Sequence, residues 1–433
     1  MRVELRTLIE KAEDLFAEGN PVAAMRLFLA GLQRVPEDYM ARLQLADCLA
    51  RLDRKHEAAQ VYAAIAELCI DGGLPLVAIV ASRAMDALGH PSDAVVSRLS
   101  TVYGRGSARL AEVGARLNIR HEGLAVDEKE LRREKSVGEL VADAVRVGSS
   151  LDAVGELPKK FSHAPILSEL SPVTMVRVIR ALLVHRLPDR YVVFHKGEKA
   201  SCCLMIATGK IRIIGADDMG ADLELATIGE GTIFGEMALV SGGRRSASAV
   251  VVGTADLLEF GPSAFAAFGE ELAILAPIFH KLAIGRNLQN LLQQSAMFRV
   301  LDAQQQQDLL KRFTAHEVAK GTVLFSEGDK ATGIFLVLQG EVAVSRSQQN
   351  GLSGTVAELG PGSMLGVNSV LADEPVLATA TAVTPATVLF LSRKLVKKLV
   401  DAIPGFLEAL GQVAEHHNQL MEWEEGEETR PGY

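Results

Sequence analysis

Two patterns of apolar positions divide the chain at about residue 160. Before that point, apolar residues recur at helical spacing, and a group of small and large residues reappears 34 positions later. The pairs of that repeat are Ala12 and Ala46, Leu15 and Leu49, Ala24 and Ala58, and Phe28 and Tyr62. Small residues let two helices cross closely while a large neighbour fills the gap, so the pattern predicts packed helical hairpins. A third, weaker pair follows over about residues 75–88 and 91–103.

After residue 160, short apolar runs alternate with glycine turns, and the whole pattern occurs twice. Residues 191–194 open the first copy and residues 322–325 open the second, each just before a turn that contains glycine. Such short strands predict a closed or sandwiched antiparallel barrel in each copy. Helical patterns flank the copies at about residues 172–185, 265–292 and 393–420. The predicted fold class is therefore α+β and multidomain, with a helical-repeat array followed by two β-jelly rolls with helical flanks.

These patterns predict five segments. They are helical repeats at residues 1–107, a partly helical linker at 108–158, a first barrel at 159–293, a second barrel at 294–420 and an acidic tail at 421–433. Of the 433 residues, 48% are hydrophobic and 23% are charged, so the chain has enough apolar material for several cores. The net charge of −9 argues against nucleic-acid binding through the overall field, but it leaves room for a local basic site that holds a small anion.

The four cysteines, Cys48, Cys69, Cys202 and Cys203, predict neither a disulfide framework nor a zinc site. They lack CxxC spacing, and no histidines stand beside them at the spacing of zinc ligands. We therefore expect reduced core thiols and no metal site. The N-terminus is amphipathic and carries acids, unlike a signal peptide, and no charge-free apolar run approaches the length of a membrane span. The sequence predicts a soluble cytoplasmic protein without membrane insertion.

A stretch of the first barrel combines side chains that suit a small anion and a sugar. Its candidate binding residues are Phe234, Gly235, Glu236, Met237, Ala238, Arg245, Ser246, Ala247 and Ser248. Gly235 lets the backbone approach a ligand closely, and the following residues can form one helical turn whose N–H groups face an anion. Glu236 can accept a hydrogen bond from a ribose hydroxyl, and the Arg245 guanidinium matches two phosphate oxygens. One acid and one arginine at this spacing suit a nucleotide with a single negative charge.

This stretch resembles the phosphate-binding cassette of the cyclic nucleotide-binding domain family, in which Phe-Gly-Glu-Leu-Ala-Leu precedes an arginine and small residues. The resemblance implies that Glu236 binds the ribose 2′-hydroxyl and Arg245 the cyclic phosphate, with donors from Gly235 and Ser246 and with Ser248 near the purine. Arg244 stands where many members have proline, which implies a more mobile loop. We expect both arginines to lie on an exposed loop without ligand, so that their loss barely changes fold stability.

The second barrel has a similar cassette with different chemistry. Val367 stands at the position of the ribose glutamate and Val376 at that of the phosphate arginine, while Asp373 and Glu374 lie close enough to repel a phosphate. Because valine offers no counter-charge, desolvating a phosphate there costs several kcal/mol. We predict that this barrel binds no cyclic nucleotide in the usual way and acts as a packing partner or as a surface for another protein.

The 34-residue period of the N-terminal repeat resembles the tetratricopeptide repeat, and Pro36 stands where that repeat usually ends its second helix. A generic array of helical hairpins without a ligand remains an alternative. The sequence contains no P-loop, no set of kinase motifs and no nucleophile elbow, and no general base accompanies Glu236 and Arg245. Because the chain ends in acidic residues with no helix-turn-helix, DNA binding is disfavoured. We expect neither enzymatic activity nor a cofactor.

Together, these observations predict a cytosolic sensor that resembles a bacterial relative of the regulatory subunits that sense cyclic AMP. Cyclic AMP is favoured over cyclic GMP as the ligand, and closure of a helix over about residues 274–292 relays its binding. Phe279, Leu288 and Leu292 are the candidate residues for capping the purine. A protein partner would bind the helical repeats or the second barrel, and a homodimer is compatible. A ligand-free structural adaptor, a transcriptional regulator and a cyclic di-GMP receptor are the alternatives.

Overall fold

A helical array and two β-barrels follow one another along the chain, which confirms the predicted α+β, multidomain fold class. The computed structural model describes residues 2–131, 135–216, 221–237, 244–347 and 353–415. The candidate residue Ala238, the end of the helix predicted at 393–420 and the acidic tail predicted at 421–433 lie outside the described residues.

The array at residues 5–103 consists of six helices, each packed against the next. They are Leu5–Ala17, Pro21–Leu32, Tyr39–Arg51, Lys55–Asp71, Pro75–Ala87 and Asp93–Tyr103. Short polar caps begin two of them, because the side chains of Asn20 and Asp38 accept hydrogen bonds from backbone N–H groups three residues on. The repeated small residues Ala12, Ala24, Ala46 and Ala58 are all fully buried. Their assignment to the tetratricopeptide repeat stays a prediction.

Ala46→Leu should lower the free energy of unfolding by about 1–3 kcal/mol, because the extra atoms would have to displace neighbours in a closely packed core. Ala46 has no exposed surface. Chemical denaturation of the full chain measures the change, and Ala17→Leu, at an exposed helical position, is the matched control with an expected change within about 0.5 kcal/mol. An unchanged midpoint for Ala46→Leu would mean that the register of the repeat is wrong.

Much of the segment predicted as a partly helical linker, residues 108–158, folds back onto the array. The helix Val137–Ser149 packs against the second and fourth helices of the array. The buried guanidinium of Arg42 holds the end of this helix by donating to the carbonyl oxygens of Val147 at 2.8 Å and Gly148 at 2.7 Å. The segment therefore forms part of the packed core of the array.

The first barrel is an antiparallel sheet that curls around its own apolar core. Its strands are Leu183–Leu187, Val192–Phe194, Cys203–Ala216, Asp222–Gly229, Ile233–Phe234 and Ser248–Phe260. The two long strands pair with a break in register beside Gly209. That glycine has φ +83°, and a Cβ there would lie 2.1 Å from the carbonyl oxygen of Thr254, so only glycine fits.

The second barrel repeats the first with a constant displacement of 131 positions, so that Phe325 corresponds to Phe194 and Val376 to Arg245. Its strands are Thr314–Val318, Val323–Phe325, Gly333–Gln339, Val342–Ser347, Ser353–Leu359, Met364–Leu365, Thr379–Ala382 and Ala386–Ser392. They form two four-stranded antiparallel sheets. The duplication predicted from the sequence is therefore visible strand by strand.

The helical flanks differ from their predicted limits. The helix predicted at residues 172–185 ends at Ala181, because Leu183–Leu187 is a strand that pairs with Ser248–Phe260. The helix predicted at 265–292 is two helices, Pro262–Phe268 and Leu272–Gln294. After the second barrel, the helix Arg393–Ala402 stops before Pro404, and residues 406–415 form the described part of another helix.

A buried ionic network joins the array to the first barrel. Arg186 of the barrel pairs with Asp47 of the array and, at 2.7 Å, with Asp256 of the barrel. The Tyr62 hydroxyl donates to Asp47, and the Thr208 hydroxyl donates to Asp256 at 2.8 Å. Burial raises the pKa of Asp47, and the neighbouring Arg186 partly offsets that effect. One apolar core also runs from the array into the barrel, so the two parts share both charged and apolar contacts.

The helix Leu272–Gln294, named here the connecting helix, joins the two barrels. Leu275 and Phe279 lie in the core shared by the array and the first barrel, and Leu288 and Leu292 pack against the core of the second barrel. By length and composition alone, residues 262–293 are also apolar enough to cross a bilayer, a stretch that the sequence expectation overlooked. The absence of membrane insertion therefore stays a prediction.

Candidate functional site

The cassette of the first barrel begins where the short strand Ile233–Phe234 ends. Phe234 is buried and lies 5.9 Å, ring to ring, from Phe194. Gly235 follows with φ +78°, and a Cβ at this residue would lie 2.3 Å from Nη1 of Arg245. Glycine at this position therefore makes room for the guanidinium. Met237 begins the next turn, and the strand Ser248–Phe260 follows the cassette.

Arg245 points inward and is only 5% exposed. Its Nη1 donates to the carbonyl oxygens of Gly235 at 2.8 Å and Cys202 at 3.0 Å, and its guanidinium carbon lies 4.1 Å from the centre of the Phe194 ring. Its backbone is fixed as well, because it exchanges hydrogen bonds with the 197–198 turn. The expectation of an exposed, ligand-free Arg245 is therefore wrong, since the side chain fills the space that Gly235 leaves.

Glu236 is fully buried and faces the connecting helix. Its Oε2 accepts a hydrogen bond from Nη1 of Arg286 at 3.1 Å. Burial raises the pKa of Glu236, and the charge of Arg286 partly offsets the rise. Arg286 lies 50 positions after Glu236, and no local motif marks it, so analysis of the sequence missed this partner.

A cavity of about 610 Å³, part of it open to solvent, adjoins these groups. Its walls are apolar side chains such as Phe194, Ile213 and Ile228, together with the cassette residues Phe234, Gly235, Met237, Arg245, Ser246 and Ala247. Nε of Arg245, which lines the cavity, and Oε1 of Glu236, which lies between the lining residues Gly235 and Met237 without lining the cavity itself, have no hydrogen-bond partner among the described residues. Buried polar atoms are normally paired, so the site holds one free acceptor and one free donor for a ligand.

The remaining cassette side chains differ in how far they are available. Ser246 lines the cavity, and its hydroxyl contacts the sulfur of Met237 at 3.7 Å. Ser248 accepts a hydrogen bond from the backbone N–H of Lys196 at 2.9 Å, and it does not line the cavity. Arg244 is exposed and donates to the carbonyl oxygen of Gly197 at 2.8 Å, as the expectation of a solvent-facing side chain requires.

The connecting helix presents polar side chains to the cavity. Arg286, Gln289 and Asn290 line it. The three apolar candidates for a cap contact other parts of the molecule. The ring centre of Phe279 lies 6.1 Å from that of Phe265, and Leu288 and Leu292 pack on the second barrel. Because opposite faces of the helix contact the two cores, these three residues do not line the cavity in this structure, and an apolar cap in the nucleotide-bound protein stays a prediction.

The second cassette begins with the same glycine conformation as the first. Gly366 has φ +79°, as Gly235 has φ +78°, and Val367 and Val376 are buried where Glu236 and Arg245 stand. Asp373 pairs with Arg393 and, at 3.3 Å, with Lys397 of the following helix. Asp373 is therefore neutralised by two cations, and the repulsion expected from it is reduced. The second cassette still lacks the arginine and the glutamate of the first.

Comparison with known protein families matches the Cyclic nucleotide-binding domain at residues 184–271 and again at 315–402. These ranges coincide with the two barrels. Both barrels are cyclic nucleotide-binding domains. The resemblance drawn from the cassette of the first domain is therefore confirmed, and the second domain belongs to the same family despite its altered cassette.

Curated relatives match over part of the chain. The cyclic AMP receptor protein of Thermus thermophilus is 30% identical over 120 residues, which cover 28% of this chain and 54% of the relative. The cAMP-dependent protein kinase regulatory subunit of Yarrowia lipolytica is 24% identical over 268 residues, or 62% of this chain and 64% of the relative. A cyclic nucleotide-gated potassium channel of Mesorhizobium japonicum is 30% identical over 122 residues, or 28% of this chain and 32% of the relative. The chain thus spans from about a third to two thirds of these relatives.

Solved structures match more than half of the chain. The regulatory domain of Toxoplasma gondii PKA in complex with cAMP is 20% identical and has a TM-score of 0.27, with 56% of this chain and 88% of that chain covered. A regulatory subunit of a cAMP-independent protein kinase A from Trypanosoma brucei is 18% identical and has a TM-score of 0.28, with 59% and 88% covered.

Proposed function

We propose that the first domain binds a cyclic mononucleotide, with cyclic AMP preferred over cyclic GMP, and that the chain is a non-enzymatic cytoplasmic sensor that relays this binding to a protein partner. The observation that carries the proposal is the buried Nε of Arg245, which lines the cavity and has no hydrogen-bond partner among the described residues. Oε1 of Glu236 also has no partner among them, and the residues on either side of Glu236, Gly235 and Met237, line the same cavity. A ribose hydroxyl satisfies the acceptor, and a cyclic phosphate satisfies the guanidinium. The Glu236 carboxylate and the Arg245 guanidinium would be shielded from water, and charge-assisted hydrogen bonds are strongest in such an environment.

The names of the relatives support a cyclic mononucleotide. One relative is a cyclic AMP receptor protein and another is a cAMP-dependent kinase regulatory subunit. One glutamate and one arginine match a ligand with one ribose hydroxyl and one phosphate, whereas cyclic di-GMP carries two phosphates. Among the described cassette residues, Ser246 is the hydroxyl that lines the cavity. A hydroxyl there accommodates either purine, so the preference for cyclic AMP rests on the relatives that are named for it.

The connecting helix is the proposed relay. It contributes Arg286 to the ribose glutamate, while its other face packs against the core of the second domain. A ribose hydroxyl that approaches Glu236 meets the carboxylate already bound to Arg286. Ligand binding therefore changes a contact of the connecting helix. Because the second domain packs on this helix, its position changes as well, and a protein partner bound there would sense the change.

A thermal-shift screen of the full chain tests the ligand. We expect cyclic AMP at a hundredfold excess over Kd to stabilise the chain by about 2.7 kcal/mol. Adenosine, which keeps the purine and the ribose but lacks the phosphate, is the matched control and should give a much smaller shift. If cyclic di-GMP alone raised the melting temperature, cyclic di-GMP would be the ligand instead of cyclic AMP. No shift with any nucleotide would favour the ligand-free structural adaptor.

Arg286→Ala should loosen the connecting helix before any ligand is added. The substitution leaves the buried carboxylate of Glu236 without its cation, which costs about 1–3 kcal/mol. Hydrogen–deuterium exchange of residues 272–294 should therefore be faster in the variant, and cyclic AMP should change it less than in the original chain. If the variant and the unsubstituted chain exchanged at equal rates, both with and without cyclic AMP, the Arg286–Glu236 ion pair would have no part in the relay.

A further inference from the structure

The second domain contains a cavity that its altered cassette does not close. It measures about 660 Å³, part of it open to solvent, against about 610 Å³ for the cavity of the first domain. The two cavities occupy equivalent places, because their walls include the counterparts Phe194 and Phe325, and Ile213 and Val344. Two valines thus replace the charged residues of the first site without collapsing the space between the strands.

Two backbone hydrogen bonds beside this cavity match those of the first domain. Arg245 accepts from the N–H of Gly197 at 2.8 Å and donates to the oxygen of Glu198 at 2.8 Å. Val376 makes the same two bonds, accepting from Gly328 at 2.8 Å and donating to Asp329 at 2.9 Å. The backbone at the position of the phosphate arginine is therefore held in the same way in both domains, and the side chain there has changed.

The walls of the second cavity are almost wholly apolar. Of the residues that line it, only Asn368 and Ser369 have polar side chains, and none carries a charge. Val367 and Val376 are 2% and 5% exposed, so they offer an anion neither a donor nor a counter-charge. An ionised ligand would lose its hydration against these walls without compensation, which disfavours a phosphate inside the cavity. The Arg346 guanidinium lies at the rim, where its Nε donates to the carbonyl oxygen of Leu377 at 3.2 Å.

The rim of the cavity points to the same chemistry. Leu377 lines the cavity and is 52% exposed, whereas Ser246 stands at the equivalent place in the first domain. A large apolar side chain at the mouth of an apolar cavity is covered favourably by an apolar ligand. We propose that the second domain binds an uncharged, largely apolar small molecule with the dimensions of a nucleotide, in the cavity bounded by Val367, Val376 and Leu377.

Titration of the full chain with Nile red, an uncharged apolar dye, tests this proposal. We expect saturable fluorescence enhancement with one dye per chain. Ala378→Leu narrows the second cavity and should weaken dye binding by about tenfold or more. Its matched control is Ala247→Leu, the same change at the equivalent wall of the first cavity, which should leave dye binding within about twofold.

Val376→Arg is a second variant. It places a guanidinium in the second cavity and should also weaken dye binding by about tenfold or more. Melting temperatures identify any variant that does not fold, and either folded variant decides the question. Absence of saturable binding, equal binding by the Ala378→Leu variant, or loss of binding in the Ala247→Leu variant instead would each overturn the proposal. So would a signal that falls with rising protein concentration as dimers form, because a second copy would then cover the site. The outcome is independent of cyclic AMP binding in the first domain.

Discussion

Replacing Arg245 with alanine should weaken cyclic AMP binding by about ten- to a hundredfold or more. The guanidinium is buried, and its Nε has no partner among the described residues, so a cyclic phosphate would receive charge-assisted bonds from it. Such bonds are worth roughly 1.5–3 kcal/mol, and about 1.4 kcal/mol corresponds to a factor of ten in affinity. Isothermal titration of the full-length variant measures the loss.

Arg244→Ala is the matched control, because it removes the same charge from the adjacent residue. Arg244 is exposed and its guanidinium donates to the carbonyl oxygen of Gly197, so its loss should change the affinity far less. Equal affinities in the two variants, or a greater loss in Arg244→Ala, would place the phosphate elsewhere than at Arg245.

Arg245→Ala should also destabilise the ligand-free protein, by about 1–3 kcal/mol, whereas Arg244→Ala should not. The reason is that Arg245 binds the carbonyl oxygens of Gly235 and Cys202, which would lose their donor. Denaturation without nucleotide separates this effect from the loss of affinity. The two arginines are adjacent in sequence but differ in burial, and this difference arises from the packing of the cassette on Cys202, a residue 43 positions earlier.

The second large effect is expected for Arg186→Met, which should lower the free energy of unfolding by about 3–5 kcal/mol. Arg186 neutralises two buried carboxylates, Asp47 and Asp256, at the boundary between the array and the first domain. Methionine keeps most of the apolar stem but leaves both carboxylates without a cation. Chemical denaturation at neutral pH gives the cost.

The pH dependence of this variant has a definite sign. Burial raises the pKa of Asp47, and Arg186 opposes the rise, so the pKa of Asp47 should rise further when the cation is gone. A carboxyl group whose pKa is raised on folding destabilises the fold above its unfolded pKa, and the cost disappears as it takes up a proton. The deficit of Arg186→Met should therefore shrink as the pH falls from 8 towards 5.

The double variant Asp47→Asn with Arg186→Met is the internal control for that network. Removing one of the two unpaired carboxylates should return part of the stability that Arg186→Met loses, so the two changes should be non-additive. A cost below about 1 kcal/mol for Arg186→Met, or strict additivity, would mean that this ionic network does not hold the array and the first domain together.

Features that lie within one short segment were predictable from the sequence. The cassette of the first domain and the two valines of the second are contiguous patterns, and the repeated alanines mark helix crossings at a fixed period. The domain family follows from these patterns. By contrast, the limit of the helix at Ala181 depends on strand pairing with residues 248–260, a contact that the local apolar spacing does not specify.

Features that depend on distant contacts could not be predicted. Arg286 reaches Glu236 from a different helix, and Arg186 joins Asp47 across 139 positions. The sequence of the connecting helix does not tell whether its apolar residues face the nucleotide, the core of the first domain or the core of the second. The helix serves both cores, and its polar residues Gln289 and Asn290 are left for the cavity.

The central claim is that only the first of the two domains binds the messenger. Isothermal titration of the purified full chain with cyclic AMP, with cyclic GMP and cyclic di-GMP in parallel, tests it directly. We expect saturation at one cyclic AMP per chain, because only the first cassette has both Glu236 and Arg245, and valines stand in their places in the second. Weaker binding of cyclic GMP and no heat from cyclic di-GMP should accompany it. Two equal sites per chain, or no binding of cyclic AMP at all, would contradict the account.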